Sequence, residues 1–142
     1  MHKSTLIAAI PSAILLAAHS TPVFADPQTP AESNIGFVLY TKSPSPGTLN
    51  ARWMFTTEYK GPGIATGGPK EGFAGRYHVR YFYDSGEFSD EYDLLIEKTD
   101  DVYKVSWIVK GEVQATGVGM EVENGLAVGW RRMADESRRV AQ

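Results

Sequence analysis

The stretch "ATGVGMEVENGLAVGW", Ala115 to Trp130, sets two glycines two apart ahead of an acidic turn and a run that ends in tryptophan. Glycines so placed serve either a phosphate-cradling loop or a strand of a β-hairpin. A dinucleotide loop needs a strand, then G-x-G-x-x-G, then a helix whose N-terminus meets the phosphate. Here Gly117-Val118-Gly119 lies inside an alternating run and is followed by Met120, Glu121, Val122 and a turn signal, so no helix start is at hand. The hairpin reading holds instead. Gly117 and Gly119 share one strand face, where they leave room for a bulky neighbour such as tryptophan or permit the sharp coiling of a small barrel. Gly129 is expected to do the same in the last strand. "ENG" at 123–125 predicts a turn at Asn124-Gly125, since both residues tolerate the left-handed region.

Outward from that stretch the apolar residues keep recurring at spacing two, the mark of half-buried strands. Ile35, Phe37 and Leu39 share a face, as do Ala51, Trp53, Phe55 and Thr57 after the turn signal "SPSPG" at 43–47. Tyr77, Val79, Tyr81 and Tyr83 alternate with Arg76, His78, Arg80 and Phe82 up to "DSG", which supplies positive φ at Gly86. Tyr92, Leu94 and Ile96 follow, then Tyr103, Val105, Trp107 and Val109 after "KTDD", and Leu126, Val128 and Trp130 close the series. Eight short antiparallel strands without a convincing long helix predict an all-β fold, a small up-and-down barrel of about eight strands over residues 35–131. Aligning Trp53 with Trp107 brings Gly61 and Gly63 within two residues of Gly117 and Gly119, so the barrel also reads as two four-stranded repeats.

The ends point to a compartment. Met-His-Lys, an apolar run from Leu6 to Ala18, and the small residues Val23 and Ala25 give the pattern of a signal peptide over 1–25, cleaved to leave an exported, periplasmic or secreted protein without a transmembrane segment. Residues 26–34 read as a flexible leader and 132–142 as a polar, basic tail. The chain has no cysteine, so packing alone must hold the domain together. The net charge of −3, one unit more negative once Lys3 leaves, argues against a nucleic-acid binder.

The segments "GRYHVRYFYDSG", "VYKVSW", "ATGVGM" and "GLAVGW" resemble small exported bacterial proteins with lipocalin-like or avidin-like barrels. The resemblance implies the holding of a small apolar or amphipathic molecule.

Chemistry has few footholds. Past the signal segment His78 is the sole histidine, and with no cysteine it predicts neither a zinc site nor a catalytic triad; no metal, cofactor or catalytic residue is expected. Asp84, Glu87, Asp90, Glu91 and Asp93 lack the spacing of a calcium loop and read as a solvated acidic hairpin that could meet a protein partner. The informative set is aromatic. Trp53, Phe55, Tyr77, Tyr81, Tyr92, Tyr103, Trp107 and Trp130 fall on the apolar sides of their strands, where they either fill the interior or line a pocket for a small hydrophobic or aromatic ligand. A non-enzymatic ligand binder is the leading expectation; an envelope protein-binding module, inhibitor or adhesin, is the alternative, and an enzyme of unknown reaction the third.

Overall fold

A computed structural model describes residues 33–133. They form eight strands: β1 (Gly36–Lys42), β2 (Leu49–Phe55), β3 (Tyr59–Thr66), β4 (Gly75–Phe82), β5 (Phe88–Thr99), β6 (Val102–Val109), β7 (Glu112–Val122) and β8 (Gly125–Arg132). Each strand pairs antiparallel with the next, and β1 pairs with both β2 and β8, so the sheet closes into an up-and-down barrel with no free edge. The expected signal segment, nearly all of the leader and most of the basic tail lie outside the described residues.

The turn chemistry follows the sequence except at the β2–β3 turn, where β2 ends at Phe55, Thr56 takes positive φ and Thr57 belongs to the turn rather than to the strand face, and at the last hairpin. Gly47 and Gly86 take positive φ, and Lys110 and Gly111 both do so between β6 and β7, as a tight two-residue hairpin turn requires. Between β7 and β8 the turn occupies Glu123 and Asn124, one residue earlier than expected. Asn124 alone holds the left-handed conformation (φ 62°), and Gly125 already pairs with Val122 as the first residue of β8. Gly125 is needed for space: a Cβ there would stand 2.9 Å from the Tyr40 carbonyl oxygen.

Alternation sorts the faces correctly for β2, β4 and β5, where one side is charged. Ala51 and Phe55, then Tyr77, Val79 and Tyr81, then Leu94 and Ile96 are buried inside, while Arg52, Arg76, His78, Arg80 and Asp93 face out. For β1 the expected face is the wrong one. Val38 and Tyr40 are buried, whereas Ile35 and Phe37 are exposed, because "GFVLYT" is apolar on both sides and alternation alone cannot set its register. Gly36 resolves the choice, since a Cβ there would overlap the Trp130 indole.

Gly117 and Gly119 face inward opposite Val105 and Tyr103. A Cβ on Gly117 would meet the Gly129 carbonyl oxygen at 2.7 Å and the Trp130 Cβ at 3.1 Å, so the glycine lets β7 and β8 close over the tryptophan. Gly129 departs from expectation: it faces out, a Cβ there would have nothing within 4 Å, and no contact explains the glycine. The halves correspond in outline, with Trp53 and Trp107 on β2 and β6 and the glycine pairs on β3 and β7. Their registers differ, since Trp53 lies opposite Gly61 but Trp107 lies opposite Ala115.

The two ends of the barrel are built differently. At the end carrying the β3–β4 loop, Leu49, Ala65, Ile96, Tyr103 and Leu126 are almost wholly buried. Phe73 of that loop plugs the opening. Lys42 donates to the Gly72 carbonyl with its ammonium 5.2 Å from the Phe73 ring centre, and the Tyr77 hydroxyl donates to the Phe73 carbonyl at 2.8 Å. This half is solid.

Candidate functional site

The other half is hollow. A cavity of about 500 Å³ opens among the ends of β2, β4, β6 and β8 and the beginnings of β3, β5 and β7, a size suited to a small ligand. Trp53, Phe55, Tyr81, Tyr92, Trp107 and Trp130 line it, which are six of the eight aromatic residues singled out in the sequence. Tyr77 and Tyr103 do not belong to it. Both sit in the solid half, Tyr77 bonded to the plug and Tyr103 donating to Glu121, because strand alternation reports the inward face without reporting height along the barrel.

Beneath the cavity lies a buried hydrogen-bond cluster. Trp107 Nε1 donates to Tyr81 Oη at 2.8 Å, and Tyr40 Oη and Tyr81 Oη are 2.6 Å apart. Burial holds both phenols well above the ordinary tyrosine range, so they stay neutral at physiological pH. The walls are rings fixed against one another. Phe55 and Trp130 stack with centres 5.1 Å apart, Trp107 tilts against Trp130 at 5.9 Å, and Trp53 meets Tyr81 edge-on at 6.1 Å. Trp53 Nε1 is anchored to the carbonyls of Phe82 and Pro62, at 3.0 and 3.2 Å. Those carbonyls lie just past the end of the regular β3–β4 ladder, which covers Gly63–Thr66, although the chains stay together beyond it, with Asp84 N–H donating to the Lys60 carbonyl at 3.2 Å.

Two β-bulges shape the mouth. The β4–β5 ladder shifts between Tyr81 and Phe82, and the β6–β7 ladder between Trp107 and Ile108, leaving Ser89 and Gln114 as the extra residues. Both line the cavity. Along an unbroken ladder Phe88 and Val113 would follow Asp90 and Ala115 into the interior. The bulges turn them outward instead, where they are 48% and 42% exposed, and Phe88 packs near Phe82 and Arg80. The interior thus loses two apolar side chains at the level where the cavity widens.

Sequence reasoning missed the remaining lining residues, Val38, Tyr59, Tyr83, Ser89, Asp90, Gln114, Ala115, Arg132 and Met133. Tyr83 could have been found, since it continues the inward series of β4. Asp90, assigned to the acidic hairpin, lies instead in the cavity wall opposite Tyr81 and accepts a hydrogen bond from Tyr92, whose pKa is raised by burial first and by that carboxylate second. Arg132, assigned to the tail, belongs to β8 and holds its guanidinium 4.5 Å from the Phe55 ring centre. The other acids of the hairpin are largely paired on the outer surface: Glu91 and Asp93 approach His78 at 2.8 and 3.6 Å, and Asp84 approaches Lys60 at 3.6 Å. Among the described residues no His, Cys, Asp and Glu side chains group as metal ligands.

No protein-family model matches the chain, and neither the curated proteins nor the solved structures contain a match to it.

Proposed function

We propose that this chain is an exported, non-enzymatic barrel protein that holds one small, flat, apolar or aromatic molecule in the open half of its barrel, and that it is kin to the small exported bacterial lipocalin-like and avidin-like proteins. The observation that carries the reading is the division of the interior. One half is packed to near-zero exposure, while the other keeps about 500 Å³ walled by anchored rings. A chain selected only for stability gains by filling such a space, because each unfilled methylene volume forfeits contact energy. Charge on the outer faces of β2, β4 and β5, from Arg52, Arg76, His78, Arg80, Glu91 and Asp93, supports a watery compartment, while Phe37, Val118 and Met120 form an exposed apolar strip across β1 and β7. The acidic hairpin gives the protein-binding alternative less support than its sequence suggests, since most of its carboxylates have partners.

The test is to isolate the protein from its own host under native conditions and analyse the organic extract by mass spectrometry. A stoichiometric apolar compound is expected. Protein that carries none, and takes up none from a broad hydrophobic panel, would refute the reading.

A further inference from the structure

The cluster beneath the cavity has an unspent proton. Tyr40 is fully buried, and among the described residues Tyr81 Oη is the acceptor within reach of its hydroxyl, since the Trp107 indole that also approaches it can only donate. A buried hydroxyl that gives its proton to nothing forfeits a hydrogen bond in a dry environment, so Tyr40 must be the donor of that pair. The Trp107 indole can only donate, and it too donates to Tyr81 Oη. Tyr81 Oη therefore accepts twice, which uses its two lone pairs and leaves its own O–H as the remaining bonding direction. Tyr81 is 6% exposed, and the space it borders is the cavity.

We propose that Tyr81 presents its hydroxyl proton to the cavity, and that the ligand carries an uncharged hydrogen-bond acceptor, such as a ketone carbonyl, at its inner end. This rests on the reading of the cavity as a ligand site and adds the ligand's chemical class. Two incoming donors polarise the Tyr81 O–H and make it a stronger donor than an isolated phenol. The acceptor is uncharged because a carboxylate beside Tyr81 would be a buried charge facing the carboxylate of Asp90, which lies directly across the β4–β5 ladder, while Arg132, the cation of the lining, lies over Phe55 at the end of β8.

The experiment compares a matched pair, 2-acetylnaphthalene and 2-ethylnaphthalene, which differ in shape by little more than the carbonyl oxygen. Calorimetric titration of wild type is expected to show the ketone binding on the order of five-fold tighter, the net worth of one well-formed hydrogen bond, with a lowered carbonyl stretch in the infrared spectrum of the bound ketone. Tyr81→Phe should erase the preference and restore the stretch while the hydrocarbon still binds. If both compounds bind wild type equally, the proposal falls and the cavity reading stands. If neither binds, both fall. Tyr40→Phe keeps the question open to test should Tyr81→Phe not fold. With Tyr81 donating to the ligand, wild type and Tyr40→Phe both show the lowered stretch; a lowered stretch in Tyr40→Phe alone would mean that Tyr81 spends its proton on Tyr40, which overturns the proposal.

Discussion

Trp107 joins packing and polarity in one side chain: it is 4% exposed, borders the cavity and spends its indole N–H on Tyr81. Trp107→Ala removes a large buried volume and leaves Tyr81 with one donor fewer. Its expected cost is about 3–5 kcal/mol of unfolding free energy by urea denaturation, the range for large-to-small core changes. The last hairpin offers a sharper residue-level contrast, because the strained position and the crowded one are adjacent. Asn124 bears the positive φ, so Asn124→Gly should be close to neutral and Asn124→Val should cost about 1–3 kcal/mol. Gly125→Val should destabilise as well, through overpacking against Tyr40 and Leu39, by about 1–3 kcal/mol. Valine accepted without loss of stability at either position in the same denaturation series would contradict this assignment.

At the scale of strands, the bulges separate what looks inward in the sequence from what is inward in the barrel. Val113 should accept serine with a change of no more than about 0.5 kcal/mol, as an outward residue does. Ala115→Phe, two positions away and facing the cavity, should leave a β-type circular dichroism spectrum and lower the affinity for an apolar ligand at least ten-fold by filling its space. Strand identity was legible because charge alternates with apolar residues along β2, β4 and β5. The face of β1 was not, since Phe37 and Leu39 are as apolar as Val38 and Tyr40, and only the distant Trp130 tells them apart. The bulges left no mark either. Nothing in "EFSDEY" or "EVQATG" requires the extra residue to be Ser89 or Gln114, because a bulge depends on how two strands meet. The aromatic candidates were legible as a set, yet Tyr77 and Tyr103 show that an inward face does not disclose which half of the barrel it serves.

Taken as a whole, the molecule joins a solid half, which carries the stability, to a hollow half walled by rings. Buried tyrosines give the whole a pH signature. Burial raises the pKa of Tyr40, Tyr77, Tyr81 and Tyr92, and burial together with the Glu121 carboxylate raises that of Tyr103 to about 12, against an unfolded value near 10. Above pH 10 the unfolded chain sheds protons that the folded chain keeps, so the stability these groups contribute is intact below about pH 10 and falls as pH rises through 12 and beyond. Urea midpoints measured from pH 8 to 12 should be level at first and then decline; a rise across pH 10–12 would contradict burial of the phenols.

All three tryptophans of the chain, Trp53, Trp107 and Trp130, border the cavity, so intrinsic fluorescence reports on that space and on no other indole. Titrating the wild-type protein with 2-acetylnaphthalene, excited at the red edge of tryptophan absorption and corrected for inner filtering, should give a saturable change in tryptophan emission at one equivalent per chain. Ala115→Phe should abolish that change. Emission that stays constant across a panel of flat apolar compounds, in protein shown by circular dichroism to be folded, would contradict the account of the open half as a binding cavity.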